Sequence, residues 1–319
     1  MRQPILSICL PSINYEELVQ QLSAVVGLSK KYRSEIEIVI QFGLGNDIQF
    51  TALSKLAETA NALLLPPANN GVDIAFEALL NNANGHYVWI VSSNDHLDPG
   101  CLDKIIPLLR QKKHVLFYLT SRTQDEKTIS TSISNDIVLS GLGRVLNMIG
   151  TRMSLITSCI FYNTRDPKVV QDYKNFIGTA IAWMTYPCSQ LGEKGTAYIF
   201  ATPCFTNNVY HLGKHEVTFY DGYETFGIAI WDLISAYISP KSDPDAKAFL
   251  IKNFGHIWRG GIIDWIRRDM PRPMADIWRL RRYRISSEYW PALLLTAMPK
   301  PFVIIAFKLY KAIVPNHYS

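Results

Sequence analysis

An α/β fold, with a mostly parallel sheet flanked by helices, is the architecture this 319-residue chain predicts. Three observations predict it. Short apolar runs rich in Val, Ile, Leu and aromatic residues recur through roughly the first hundred residues, as the buried strands of a parallel sheet require. Segments with helical spacing separate them, so strand and helix alternate. The run His86-Tyr87-Val88-Trp89-Ile90-Val91 then ends abruptly in a polar cluster, Ser92-Ser93-Asn94-Asp95-His96-Leu97-Asp98-Pro99-Gly100. In open α/β sheets ligands bind beyond the carboxyl ends of strands, which aims Asp95 at a ligand crevice. A surface turn punctuated by Asp98-Pro99-Gly100 is the plainer reading of the same residues.

The elements follow in order. Ile5 to Leu10 reads as a strand, and Tyr15 to Leu28 as a helix capped by Asn14. Ile36 to Ile40 is a second strand, followed by a loop at Gly43-Leu44-Gly45-Asn46-Asp47 and a helix over Thr51 to Ala62. Leu63 to Leu65 is a short strand, Asn69-Asn70-Gly71 a turn, and Asp73 to Asn82 a helix. Tyr87 to Val91 is the strand that delivers Asp95, and Cys101 to Leu109 the helix after it. Beyond, Val115 to Thr120 predicts a strand and Ser121 to Asn135 a loop or hairpin. Ser154 to Tyr162 predicts another strand, Tyr173 to Met184 a helix, Ala197 to Pro203 a strand and Tyr223 to Ile238 a helix.

Composition narrows the class. Hydrophobic residues make up 48% and charged residues 18%, which sustains a large core and excludes a disordered chain. The five cysteines show no CxxC pair, which argues against a zinc ribbon or disulfide framework and fits a reducing compartment. The apolar run before Pro11 is too short for the core of a signal peptide. Gly43-Leu44-Gly45 lacks the third glycine of a dinucleotide fingerprint, so a nicotinamide-binding reading is rejected. His211 and His215 stand at i, i+4 but without the intervening glutamate of a helical zinc site. Ser92, Ser93 and Cys159 have no base beside them by motif, so nothing singles them out as nucleophiles.

Charge is unevenly distributed. From Lys252 to Ser319 there are twelve Lys and Arg against four Asp and Glu, which leaves twenty basic against twenty-three acidic residues before that point. The tail also carries an apolar helical stripe at Phe254, Ile257, Trp258, Ile262, Trp265 and Ile266. Trp290 to Pro315 is apolar but broken by Pro299 and Pro301, so it lacks the ~20 uninterrupted residues of a spanning helix. A helical region lying in the interface of an acidic membrane is the expectation, with a solvated helical cap on the core as the alternative. No recognition motif supports a nucleic-acid partner.

Several of these segments together resemble family 2 glycosyltransferases. Leu6-Ser7-Ile8-Cys9-Leu10-Pro11-Ser12-Ile13-Asn14 is similar to their opening strand and turn, and Glu35-Ile36-Glu37-Ile38-Val39-Ile40 to their second strand. Asn69-Asn70-Gly71 matches an Asn-x-Gly turn. Gly85 to Gly100 resembles the strand and metal-binding turn, where an acidic triplet precedes a Pro-Gly. Ser154 to Phe161 is similar to a strand of the abequosyltransferase-like branch, which builds bacterial O-antigen. The resemblance covers residues 5 to 110 and, more loosely, 150 to 185.

It implies the GT-A (Rossmann-like) fold and an inverting transfer from a nucleotide-sugar donor to a lipid-linked glycan acceptor, a surface polysaccharide precursor of O-antigen or capsule. It divides the chain into a nucleotide-sugar-binding half (1–113), an acceptor-binding half (114–250) and a basic amphipathic tail (251–319). The enzyme would then be cytoplasmic and peripheral on the inner face of the plasma membrane, held there by its tail. Pro11, Ser12, Asn14, Phe42, Asn70, Gly71, Ser93 and Asn94 are the donor-binding candidates, and Asp95 the ligand of Mn²⁺ or Mg²⁺, an ion that neutralises a diphosphate leaving group.

Two departures mark this sequence. Ser93 and Asn94 replace the other acids of the triplet, and Phe42 stands where the family places an acid after its second strand, free either to stack on a base or to fill the pocket. The Glu-Asp pair that often supplies the general base is absent, and Lys174 to Leu191 holds no acid. Asp172, Asp221 and Glu224 are the candidate bases by their location in that half. The competing reading is a catalytically silent protein of the same fold that binds a partner in polysaccharide assembly.

Overall fold

The computed structural model of the protein describes residues 3–43, 47–67, 71–123, 133–207, 222–267 and 274–313. Its first part alternates as the sequence predicts: β1 (Leu6–Ser12), α1 (Tyr15–Ser29), β2 (Ile36–Phe42), α2 (Asp47–Ala60), β3 (Leu63–Leu65), α3 (Val72–Asn82), β4 (Tyr87–Ile90), β5 (His96–Leu97) and α4 (Cys101–Leu109). Helix α1 begins where expected because Asn14 Oδ1 accepts the backbone N–H groups of Glu16 and Glu17, at 3.0 and 3.3 Å. The second part holds β6 (Leu116–Tyr118), β7 (Ser121–Thr123), β8 (Ile137–Ser140), α5 (Leu142–Ile149), β9 (Cys159–Tyr162), α6 (Pro167–Asn175), α7 (Thr185–Leu191), β10 (Thr196–Ile199) and β11 (Phe205–Asn207). Helices α8 (Ile230–Tyr237), α9 (Pro244–Arg267), α10 (Met274–Arg279), α11 (Tyr289–Ala297) and α12 (Lys300–Ile313) complete it.

Eight strands form one sheet in the order β3-β2-β1-β4-β9-β6-β10-β8. The run β3-β2-β1-β4 is parallel throughout, with Ser12 beside Phe42 and Cys9 beside Ile90. Strand β9 is antiparallel to both β4 and β6, β10 is parallel to β6, and β8 closes the sheet antiparallel. A small sheet, β5-β11-β7, continues from the carboxyl end of β4.

Alternation along the strands separates two cores, one on each face. Cys9, Val39, Val88 and Ile90 face the helices α3, α5, α7, α8 and α9. Ile8, Leu10, Ile40, Trp89 and Val91 face α1, α2 and α4. The β1–β4 junction is close: a Cβ on Gly85 would come within 2.5 Å of the Ser7 backbone nitrogen. Gly85 N–H donates instead to Ser7 Oγ at 2.7 Å, which pins the start of β4 against β1.

Three expectations are corrected. The helix over Tyr173 to Met184 stops at Asn175, and a loop with Gly178 at φ +90° and Ala180 at φ +60° follows. The strand over Ser154 to Tyr162 begins only at Cys159, because Thr157 is committed to β4. Its carbonyl accepts Trp89 Nε1–H at 2.8 Å, and residues 150–158 wind as short 3₁₀ turns. Finally, the apolar stripe of the tail faces the protein. Phe254, Ile262 and Trp265 on α9 are buried, with Phe254 stacked on Tyr283 and Trp265 clustered with Val303 of α12. The stripe is therefore core, and the bilayer expectation does not apply to α9. The helix predicted over Tyr223 to Ile238 is present, but it opens as π-helix at Gly222–Ala229.

Candidate functional site

Because β1 lies between β2 and β4 in parallel register, the three carboxyl ends lie side by side. At the first, Ser12 Oγ accepts the Asn14 N–H at 3.0 Å and donates to the Asn14 carbonyl at 2.9 Å. This local knot turns the chain out of β1 into α1, with Pro11 half-buried beside it. At the second, Phe42 is 1% exposed, its ring edge-on to Tyr15 at 6.2 Å between centroids. Phe42 therefore fills the core. Of the two roles open to it, packing in the core is the one its burial favours over stacking on a base.

At the third end the Ser92–Asp98 turn is fixed from several sides. The Ser92 N–H donates to Thr157 Oγ1 at 2.9 Å, and its hydroxyl bonds Asn94 Oδ1. Ser93 Oγ donates to Glu17 Oε2 at 3.0 Å, which tethers the turn to the first turn of α1. Asp95 is 5% exposed, and its N–H donates to the Ser92 carbonyl at 3.2 Å. Asp98 is ion-paired with Arg122 on β7, while its N–H donates to the Cys204 carbonyl at 2.9 Å. The structure thus brings Ser93, Asn94 and Asp95 together and adds Glu17, Thr157 and Arg122. Glu17 was legible only as a favourable charge in a helix's first turn, and nothing in the local pattern marked Thr157 or Arg122.

Asp73 was also missed. It stands in the first turn of α3, after Gly71, whose φ of +95° suits glycine. Its carboxylate is 3% exposed. Oδ2 accepts the backbone N–H groups of Gly178 and Ala180, at 2.7 and 3.0 Å, whereas Oδ1 is buried without a partner. Burial raises its pKa, against the lowering effect of those backbone hydrogen bonds. Tyr173 OH donates to the Asp73 carbonyl, so one residue gathers α3, α6 and the 176–181 loop.

Two of the candidate bases, Asp172 and Glu224, are held by partners of their own. Asp172 Oδ2 accepts the Tyr237 hydroxyl at 2.9 Å, between α6 and α8. Glu224 is ion-paired with Arg279, and its neighbour Thr225 donates to the Thr179 carbonyl at 3.3 Å, which brings the π-helix against the loop that Asp73 holds. Asn70, Asp221, His211 and His215 lie outside the described residues. All five cysteines are free and buried, and burial raises each thiol's pKa, Cys101 and Cys204 to about 12. The thiols, Cys159 included, stay protonated at neutral pH.

Among the described residues, no group of three or more His, Cys, Asp and Glu side chains is arranged to hold a metal. The donor set still fits an ion that arrives on a diphosphate, for which one or two protein carboxylates suffice. Asp95 supplies one, and Glu17 is tethered to the same turn.

No protein-family model matches the chain, and no curated protein matches it. Solved structures do. S. aureus TarS 1–349 superposes with a TM-score of 0.64 at 12% identity, over 90% of this chain and 82% of that one. The same protein in complex with UDP-GlcNAc gives 0.52 at 13% identity, over 80% of each chain. The mannosyltransferase PcManGT from Pyrobaculum calidifontis, in complex with GDP-Man and Mn²⁺, gives 0.51 at 14% identity, over 99% of this chain and 89% of that one. At these identities the likeness is one of fold, and the α/β fold expected from the sequence, of the GT-A kind, is the fold found.

Proposed function

We propose that the protein is a glycosyltransferase that moves a sugar, with inversion, from a nucleotide-sugar to a hydroxyl of a lipid-linked surface polysaccharide precursor. What carries the reading is the Ser93–Asp95 turn at the carboxyl end of β4, in a fold shared with structures that hold UDP-GlcNAc and GDP-Man. Pro11, Ser12, Asn14 and Gly71, with Asn70 assigned from the sequence alone, are the residues we assign to the nucleotide, and Ser93 and Asn94 would offer uncharged hydrogen-bonding groups to ribose or diphosphate. Asp95 and Glu17 are the residues that would hold a divalent ion, Mn²⁺ or Mg²⁺, whose charge offsets that of the departing diphosphate.

In the transfer, the acceptor oxygen forms a bond to the anomeric carbon as the bond to the diphosphate breaks, and the hydroxyl proton passes to a carboxylate. Asp172, Asp221 and Glu224 are the candidates for that base. A lipid-linked acceptor puts the enzyme on the inner face of the plasma membrane. Among the described residues no helix is long and apolar enough to cross a membrane, which is compatible with peripheral attachment. The acceptor class rests on the resemblance of Ser154 to Phe161 to the abequosyltransferase-like branch.

The test is a calorimetric titration of UDP, GDP, CDP and dTDP, with and without Mn²⁺, into wild type and Asp95→Ala. Metal-dependent binding of one nucleotide, lost in the variant, is the expected result and names the donor's nucleotide. A second reading, a catalytically silent binding protein of this fold, is favoured by Phe42, a core residue where the family resemblance calls for an acid. Binding of none of the four nucleotides selects it.

A further inference from the structure

The tail's inward stripe leaves its other face unexplained. Helices α11 and α12 pack inward through Ala292, Thr296 and Val303. Their outward positions carry large apolar side chains: Trp290 is 60% exposed and Leu294 61%, at i and i+4 on α11, and Phe302 is 62% exposed and Ile305 55%, at i and i+3 on α12. Trp278 of α10 adds a further indole at 56% exposure. A soluble surface scatters such residues singly, whereas a run of them on consecutive helices marks an interaction face.

Charge identifies what the face meets. Residues 289–319 contain no Asp or Glu, but include Lys300, Lys308 and Lys311. Arg281 and Arg284, just before α11, are exposed. Arg259, Arg279 and Arg282 are ion-paired with Glu288, Glu224 and Asp232. A second copy of this chain would bring two basic segments together, at a repulsive cost. An anionic bilayer meets both properties at once: its headgroups attract the lysines and arginines, and indole and aliphatic side chains favour the headgroup–acyl boundary.

We propose that the outward face of α11 and α12, led by Trp290, Leu294, Phe302 and Ile305, docks on an anionic phospholipid surface, with α9 as the internal spine that holds the face rigid. The inference deepens the peripheral attachment in the proposed function and rests on that reading for its purpose, the delivery of the crevice to a lipid-linked acceptor. Its test does not use the transfer reaction.

The full-length protein is sedimented with vesicles of phosphatidylcholine alone and of phosphatidylcholine mixed with phosphatidylglycerol. Wild type is expected to bind the mixed vesicles with a blue shift of tryptophan emission, and the neutral vesicles more weakly. The double variant Leu294→Asp, Phe302→Asp alters only exposed positions, so its melting temperature should stay that of wild type while its partitioning falls about tenfold or more. Arg281→Gln with Arg284→Gln should narrow the preference for the anionic vesicles. Failure of wild type to bind, or equal binding by the aspartate variant, overturns the proposal. So does a wild-type dimer in sedimentation equilibrium that the aspartate variant converts to monomer, which assigns the face to a second copy. Vesicle binding by a protein that binds no nucleotide leaves the docking face standing and removes the transferase reading alone.

Discussion

The Asp73 carboxylate accepts the backbone N–H of Ala180 at 3.0 Å, across a sequence separation of 107 residues. Through that bond and its companion to Gly178, the first turn of α3 decides the path of a loop that belongs to the other half of the sheet. Asp73→Ala leaves two backbone donors in a buried place without acceptors, each worth about 1–3 kcal/mol. The variant should melt well below wild type, while Asp73→Asn, whose Oδ1 can still accept, recovers part of the loss.

The same residue gives a pH signature. Burial raises the Asp73 pKa in the folded state above its unfolded value. A raised carboxyl binds its proton more tightly when folded, so its contribution is fully present below the unfolded pKa, about 4, and is lost as pH rises through the folded value. The melting temperature of wild type relative to Asp73→Asn should therefore fall as pH rises through that window and level off above it. A difference that is flat or rises with pH counts against a raised pKa.

How the Asp95 turn is held can be tested at Thr157. Thr157 is buried, and its Oγ1 accepts the Ser92 N–H at 2.9 Å. Thr157→Val keeps the shape but removes the acceptor, at a cost of about 1–3 kcal/mol. In the proposed transferase it should also weaken nucleotide binding, since the strand-to-turn junction loses its anchor. Thr157→Ser, which retains the hydroxyl, should restore the binding and most of the stability.

Phe42 makes a contrary test of the family pattern. Replacing it with the acid that the resemblance calls for, Phe42→Asp, looks like a repair of the donor site. The side chain is 1% exposed in the core between the sheet and α1. Truncating a buried Phe costs about 3–5 kcal/mol, and an unpaired buried carboxylate adds to that. Loss of the cooperative unfolding transition near room temperature is expected, with no gain in nucleotide affinity. A stable variant that binds nucleotide more tightly would show that Phe42 lies against the donor after all.

These residues show which parts of the molecule the sequence makes legible. Asn14 caps α1 through bonds two and three residues away, and β1 to β4 read as strands because each is a short apolar run between turn residues. Such information is local. The end of α6 at Asn175 is not, because the acceptor that captures the next loop is Asp73, about a hundred residues earlier in the chain. The late start of β9 depends likewise on Trp89 of β4 and Ser92 of the turn after it, which reach Thr157 from a distant part of the sequence. At the site, the turn bearing Asp95 was visible as an abrupt change of polarity, whereas Glu17 and Arg122 join it only through tertiary contacts. Periodicity marked the apolar stripe of α9 correctly but carries no label for what the stripe faces.

That last ambiguity separates cleanly at two aromatic residues of the tail. Phe254 is fully buried, stacked on Tyr283 with 5.3 Å between ring centroids and tilted against Tyr289 at 5.8 Å. Trp290, the residue after Tyr289, is 60% exposed, with its ring in a T-shaped contact with Tyr289 at 5.3 Å between centroids. If α9 is core, Phe254→Ala should cost about 3–5 kcal/mol and lower the melting temperature of the whole molecule, because the cavity opens between α9 and the elements carrying Tyr283 and Tyr289. Trp290→Ala should change stability by less than about 1 kcal/mol, as exposed substitutions do. Thermal unfolding in detergent-free buffer reads both. Equal, small effects at the two positions would mean that α9 is a loosely attached surface helix, and its stripe would again be open to a membrane.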